Sequence, residues 1–547
     1  MERVFAPKFF TLLTGGISSG QLTRDIMAGV VVGIVALPLA IAFAVASGVP
    51  PERGLITAVV GGFIISFLGG SRVQIGGPTG AFVIIIYAIV QKYGFNGLII
   101  STVMAGLLMI LFGLLKLGTL LKYFPHSLIV GFTSGIAVVI FSIQVKDLMG
   151  LETLEIPSGF IDKWAYYFSS INSVNIAALS LATASVLIVI VSKKLIPRIP
   201  GSLIALTLAT IFTALLKIDV PTIGTFFGDI SGKFQPSLPQ VRFGELVNYI
   251  QPALAIALLG SIESLLSAVV ADGMISGNHR SNTELIAQGV ANVVTPLLGG
   301  IPATGAIART ATNVKSGART PVSGMVHSVT LLLVMIFLAR WISYVPMAAL
   351  AGILVVVAYN MSEWRSFLFV IRGSGFDSLV LISTFFLTIL VDLTVAIEVG
   401  VVLSALLFMK RMADLGKSGM ATRVDSDIID DYHNLPGVIS IFEISGPFFF
   451  GSARQFSEVM KSTGMRSRIM IIRMRHVPFI DVTGMQNFKS AVKMLKEKGT
   501  IIVLSGVNSN VKEELDRGGI PELIGTENIF PSFEKAASYA TELAEGF

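Results

Sequence analysis

The chain has 547 residues, 53% of them hydrophobic and only 14% charged, with 54 glycines and no cysteine. A soluble protein carries roughly a quarter charged residues, so the composition argues against an ordinary cytosolic enzyme. The absence of cysteine removes disulfides, thiol nucleophiles and cysteine-held metal centres. Charge is divided unevenly: residues 1–421 hold 26 Lys/Arg and 18 Asp/Glu, and residues 422–547 hold 14 and 16. The first part reads as lipid-soluble and weakly basic, the second as an average soluble domain. Basic residues flanking membrane spans account for the positive balance, and no nucleic-acid partner is expected.

In chain order, residues 1–24 are short, mixed in polarity and without a signal-type apolar core, and read as a cytosolic N-terminal segment. Residues 25–412 then alternate apolar stretches with short polar or Gly/Pro joints. Residues 26–46, 98–115, 176–191, 203–216, 253–270, 379–391 and the surroundings of 329–338 each approach the ~20 apolar residues of a spanning helix. The expectation is about 14 segments, several short or broken, above all near residues 76–90 and 299–311. The last span, 395–409, runs into Lys410-Arg411, and Arg3, Lys8 and Arg24 mark the other end. Both termini are therefore expected on the cytoplasmic side of a multi-pass protein of the inner membrane, with Arg53 the lone counterexample. Residues 413–431 read as a polar linker. Residues 432–547 alternate strands (438–444, 468–474, 500–504) with helical patterns (452–462, 482–498, 511–517), which predicts a small parallel α/β domain.

One repeat stands out. Gly76-Gly77-Pro78-Thr79-Gly80-Ala81 recurs, with two insertions, as Gly299-Gly300-Ile301-Pro302-Ala303-Thr304-Gly305-Ala306. Paired Gly/Pro interruptions in two halves mark the binding site of an inverted-repeat secondary transporter. Helices starting at Thr79 and Thr304 would present unpaired N–H groups and positive dipole ends, and two such ends facing each other make an anion cradle. Arg309 lies about one turn beyond Thr304 and can add a full charge. Glu263 is the one ionisable residue of its span, with Ser267 a turn away; intramembrane ionisable residues default to function. Protonated, Glu263 suits a proton carrier; ionised beside a hydroxyl, it suits sodium. The five histidines show no metal-ligand spacing, and neither a metal site nor a catalytic residue is assigned. Gly29-x-x-x-Gly33 is a helix-packing motif, and Phe43 on the first span is placed to line a site.

These residues resemble the sulfate permease (SulP/SLC26) transporters: the run Ala36-Leu37-Pro38-Leu39 to Ser47-Gly48-Val49-Pro50-Pro51, the Gly77-Pro78-Thr79 break and the block 263–272. The soluble tail is similar to a STAS domain. The resemblance covers essentially the whole chain and implies 14 segments in a seven-plus-seven inverted repeat, a core domain and a gate domain, an elevator motion, and usually a homodimer. It also implies an anion between the third and tenth segments, carried here by Thr79, Gly80, Ala81, Gly305, Ala306 and Ile307, with Phe43 and Glu263 beside them. Residues 260–266 and 278–289 look closest to bacterial members assigned to dicarboxylic acids. Two departures count: Leu39 stands where many relatives carry Gln, and Asp481-Val482-Thr483-Gly484 replaces the Asp-Ser-x-Gly phosphorylation motif. Thr483 is thereby a weak regulatory candidate beside the simpler reading, a helix cap.

The sequence-level expectation is a secondary active transporter for a C4-dicarboxylate, bicarbonate or sulfate, proton-coupled through Glu263 and needing no cofactor beyond its coupling ion. The alternatives are sodium-coupled symport, anion exchange, and a membrane-anchored STAS sensor that recruits a cytosolic protein partner. A nucleobase permease of this architecture would need a second carboxylate where Arg309 stands.

Overall fold

Uncharged runs of Leu, Ile, Val, Ala and Phe form helix in lipid because a helix satisfies its own backbone polar groups. The computed structural model describes residues 5–119, 125–151, 157, 159–196, 199–230, 232–240, 243–391, 393–418, 435–449 and 468–546. The chain divides into two units, Met1–Val401 and Val402–Phe547.

The first unit opens with a short α1 (Lys8–Gly15), followed by α2 (Ser19–Ala46), α3 (Pro51–Leu68), α4 (Gly80–Leu114), α5 (His126–Met149), α6 (Phe160–Ser169), α7 (Ile176–Leu195), α8 (Gly201–Leu216) and α9 (Ile223–Phe227). The second half brings α10 (Leu246–Ile275), α11 (Ser281–Leu297), α12 (Ile307–Lys315), α13 (Val322–Ile342), α14 (Met347–Met361), α15 (Trp364–Ile371), α16 (Gly375–Leu390) and α17 (Leu393–Ser418), the last running across the boundary between the units. Among the described residues, eight helices are long and apolar enough to cross a membrane. Helix α4 is two arms joined at Gly94, whose φ of 67° and ψ of −175° are not helical. Counting both arms and leaving aside α1, α6, α9 and α15, the described residues give the fourteen segments expected. Helix α17 continues to Ser418, into the stretch expected as linker; the rest of that stretch lies outside the described residues.

The two halves repeat each other in packing as well as in order. Helix α2 packs on α13 as α10 packs on α4, and α3 meets α13 as α11 meets α4. Likewise α5 pairs with α16 as α14 pairs with α7, while α3–α11 and α5–α14 are their own mates. This is the pattern of two seven-segment repeats. Small residues set the close crossings. A Cβ on Gly33 would lie 2.8 Å from Cβ of Thr330, and one on Gly29 2.7 Å from Cβ of Val326, so the Gly29/Gly33 stripe is where α2 touches α13. Arg53, the exception to the charge rule, is held locally: Nη1 donates to the Gly299 carbonyl at 3.1 Å, and the guanidinium lies 3.4 Å from the centre of the Phe95 ring.

In the second unit, β3 (Ile439–Ser445), β4 (Ile469–His476) and β5 (Ile501–Ser505) are close to the predicted strands. A short β6 (Ile529–Phe530) adds a fourth, and all neighbours run parallel in the order β3-β4-β5-β6. The two-residue strands β1 (Gly76–Gly77) and β2 (Thr304–Gly305) belong to the first unit. The helices are α18 (Val482–Glu497), α19 (Ser509–Arg517), α20 (Pro521–Ile524) and α21 (Phe533–Glu545). Strand alternation divides the core. Met470, Ile472 and Met474 pack with Phe488, Val492 and Leu495 of α18, while Ile469 and Ile471 face Ala536 and Ala540 of α21. The helix expected at 452–462 lies outside the described residues.

Asp481 caps α18, its carboxylate accepting from the Gly484 N–H at 2.6 Å. Thr483 sits exposed in the first turn. Replacing Asp481 with Ala should cost this α/β unit about 1 kcal/mol, as lost caps do, whereas Thr483→Ala should leave it within about 0.5 kcal/mol. Thermal unfolding followed by circular dichroism would distinguish them; equal losses would refute the cap assignment.

Candidate functional site

Glycine and proline free the chain from helix at two points of the first unit, and the structure joins those points. The two-residue strand β1 (Gly76–Gly77) pairs antiparallel with β2 (Thr304–Gly305), Gly76 opposite Gly305 and Gly77 opposite Thr304. The Ala306 N–H extends the ladder by donating to the Ile75 carbonyl at 2.9 Å. From this ribbon the first arm of α4 and the short α12 set out, with Thr79 and Ala306 at their N-caps. At ~1.5 Å per residue α12 is too short to cross a bilayer of ~30 Å. Both helices therefore begin within the unit, where their first N–H groups have no intrahelical acceptor.

The expected start at Thr304 is corrected. Pairing with Gly77 keeps Thr304 extended, its hydroxyl donates to the Gly260 carbonyl at 2.8 Å, and the helix opens at Ile307. Gly305 is thus a strand residue. A Cβ there would run into the Gln74 side chain, whose amide donates to the Ser264 carbonyl and hydroxyl at 3.1 and 3.0 Å. Gly80 differs: its pseudo-Cβ lies 2.8 Å from the Met361 sulfur and 3.3 Å from Cε1 of Phe43, two side-chain ends on α14 and α2.

The expected residues fall into a few contacts. Thr79 donates its hydroxyl to Oε2 of Glu263 at 2.8 Å, bringing the α10 carboxyl to the base of α4. Arg309, 3% exposed, donates through Nη2 to the Pro78 carbonyl, while its Nη1 has no hydrogen-bond partner in the protein. Glu263 and Arg309 make no ion pair; each reaches a neighbouring residue of the α4 break instead. Phe43, Thr79 and Ala306 are nearly covered and Ala81 fully so, whereas Ile307 at the tip of α12 is 40% exposed. Ser267 does not join Glu263: its hydroxyl goes to Oγ1 of Thr310 at 3.1 Å, and Thr310 in turn accepts from the Ile75 N–H at 3.0 Å.

Several residues here escaped the sequence reading. Gln74 and Thr310 fasten the ribbon to α10 and α12. Glu284 lies fully buried at the start of α11 and accepts four hydrogen bonds, from the Gly70 and Ser71 N–H groups (2.9 and 3.1 Å), Gln288 (2.9 Å) and Ser264 (3.3 Å). Gln288, one turn along α11, is the one partner that helical spacing could have hinted at, since the Gly70 and Ser71 N–H groups lie 214 and 213 residues away. Glu284→Leu should strand those donors and cost about 3 kcal/mol or more; a melting temperature in detergent equal to wild type would show the network to be dispensable. Asp272 binds the His279 backbone N–H and ring Nδ1 at 2.7 and 2.6 Å and closes the α10–α11 turn.

With that geometry in view, relatives can be compared. Residues 22–384 match the model of the sulfate permease family and residues 432–536 that of the STAS domain. The chain belongs to the sulfate permease family. Among members of that family, YvdB of Bacillus subtilis (strain 168), a candidate sulfate transporter, is 40% identical over 94% of this chain and 97% of its own. The bicarbonate transporter BicA of Picosynechococcus is 29% identical over 96% of both chains. Among solved structures, the transmembrane domain of a cyanobacterial BicA overlays with a TM-score of 0.64 at 32% identity, covering 70% of this chain and 98% of its own. The murine Solute Carrier 26 family member A9 anion transporter, in its inward-facing state, overlays with a TM-score of 0.86 over 98% of this chain and 94% of its own; at 19% identity it shares the fold. The protein is a polytopic transporter of the sulfate permease family with a C-terminal STAS domain, and its relatives are transporters rather than enzymes.

Proposed function

We propose that this sulfate permease is a secondary active transporter that carries a small oxyanion, sulfate or bicarbonate ahead of a C4-dicarboxylate, at the N-termini of α4 and α12. The observation behind this is the β1–β2 pairing, which gathers two helix N-termini and the buried charge of Arg309 at one place. Helix N-termini favour anions through their free N–H groups and dipole. Gly80, Ala81, Ala306 and Ile307 carry no polar side chain to compete for those groups, and Phe43 closes one flank. The anions named for YvdB and BicA fit such a cradle.

Coupling is assigned to Glu263. Its carboxyl touches the α4 N-cap, so its charge state acts directly on the electrostatics of the cradle: an ionised carboxylate there opposes the anion and a protonated one does not. Proton symport follows, with the proton and the anion bound together. Sodium is the second reading; it gains from the nearby hydroxyls of Thr79 and Ser267 and loses because Ser267 is bonded to Thr310. No cofactor is assigned. The transport step is a movement of a core domain, which carries the ribbon, against a gate domain, in a homodimer of the cell membrane with cytoplasmic termini. The STAS domain tunes the rate or recruits a cytosolic partner.

Uptake of labelled sulfate, bicarbonate and succinate into liposomes of the purified protein, under imposed proton or sodium gradients, tests this reading. Accumulation of one of the two inorganic anions with inward proton flow is expected. Anion binding without flux would make the protein a sensor.

A further inference from the structure

His327 on α13 has no exposed surface, and neither ring nitrogen has a hydrogen-bond partner in the protein. Nη1 of Arg309, Oγ of Ser66 and Oε1 of Gln74 are buried in the same condition. Glycine positions locate these groups relative to one another. A Cβ on Gly62 would lie 3.5 Å from Cε1 of His327 and 3.1 Å from the Gly76 carbonyl oxygen. One on Gly77 would lie 2.6 Å from Nη1 of Arg309 and 3.4 Å from Cα of Ala58, and one on Gly324 would lie 2.9 Å from Cβ of Ser66 and 3.4 Å from the Gln74 carbonyl oxygen. Ala58 and Gly62 are one turn apart on α3, and Gly76 and Gly77 are consecutive in β1. His327 and the second amino group of Arg309 therefore border the same small-residue face behind the ribbon.

The orphaned groups are of both kinds. Arg309 Nη1 only donates, and a neutral imidazole donates with one nitrogen and accepts with the other. Sulfate, which carries no proton, cannot donate to the accepting imidazole nitrogen, and a cation is repelled by Arg309. Water does both, and buried water characteristically takes two to four otherwise unsatisfied polar groups.

We propose that this face is an internal hydration site of one or two water molecules linking His327 to Arg309. His327 is then a positioning residue. Through the water it holds the guanidinium against the Pro78 carbonyl, and so fixes the charge at the base of α4. The hydration site stands independently; its bearing on affinity rests on the anion reading above.

A high-resolution map of the full chain should show density within hydrogen-bonding distance of both a His327 ring nitrogen and Arg309 Nη1; a dry packing of the two side chains would overturn the proposal, whatever the variants do. Binding of sulfate and of bicarbonate should weaken at least tenfold in His327→Leu, with its melting temperature held or raised, and stay within threefold of wild type in His327→Gln, which can both donate and accept. Wild-type affinity in His327→Leu, or equal losses in both variants, would refute the positioning role. If the wild type binds neither anion, the anion reading fails while the map still decides the hydration site.

Discussion

Glu263→Gln should abolish proton-driven accumulation while leaving anion binding and exchange in place. Glutamine keeps an oxygen where Oε2 accepts the Thr79 hydroxyl at 2.8 Å, so the base of α4 should hold its geometry. What the substitution removes is the ability to alternate between a charged and a neutral group. A carboxylate close to an anion cradle repels the anion, and in a low-dielectric interior that repulsion is large compared with thermal energy. Fixing the neutral state therefore uncouples the anion from the proton. Counterflow of labelled anion against unlabelled anion should continue at a comparable rate, while uphill uptake driven by an imposed pH difference should fall to background. If Glu263 holds sodium instead, wild-type uptake should follow a sodium gradient and respond little to pH. Retained accumulation in the variant under either ion would show the carboxyl to be structural.

Gly80→Leu should weaken anion binding by about a hundredfold or more, which corresponds to about 3 kcal/mol. The space beyond Gly80 is bounded by the ends of the Met361 and Phe43 side chains, which can shift, so the fold should survive with a loss of about 1–3 kcal/mol from overpacking. The anion has no comparable freedom, because it must approach the backbone N–H groups that a leucine side chain would cover. The matching change at Gly305 is a poorer probe than the sequence suggests. Gly305 lies in β2 against the Gln74 side chain, so a leucine there disrupts the ribbon itself, and loss of activity would say little about the anion. Isothermal titration with detergent-solubilised Gly80→Leu, alongside its melting curve, checks the prediction. Unchanged affinity in a folded protein would place the site elsewhere.

The legible part of this fold was the part written in local chemistry. Glycine and proline inside apolar sequence announced both breaks, and their repetition announced the two halves. Uncharged runs marked the spans, and β-branched stretches marked three of the four strands among the described residues of the tail. Partnership across the chain was not legible. Thr304 looked like Thr79, yet pairing with Gly77 keeps it extended and delays its helix to Ile307. Ser267 lies one turn from Glu263, as helical spacing requires, but Thr310 on α12 takes its hydroxyl. Gln74 and His327 carried no signal because their partners or neighbours are distant in sequence and become adjacent only when the halves interlock; Glu284 has Gln288 one turn away, but the Gly70 and Ser71 N–H groups it holds lie 214 and 213 residues off. Strand β6 escaped because a two-residue strand leaves no alternation to read.

On the proposed function, one anion sits where α4 and α12 begin. Selenate, a heavier analogue of sulfate, can be located directly by its anomalous scattering in crystals of the full chain. The expected result is a single site within hydrogen-bonding distance of the first-turn N–H groups of α4 at Gly80–Ala81 and of α12 at Ile307–Ala308, lost in Gly80→Leu. Selenate bound anywhere else in the membrane unit, with that place empty, would contradict it.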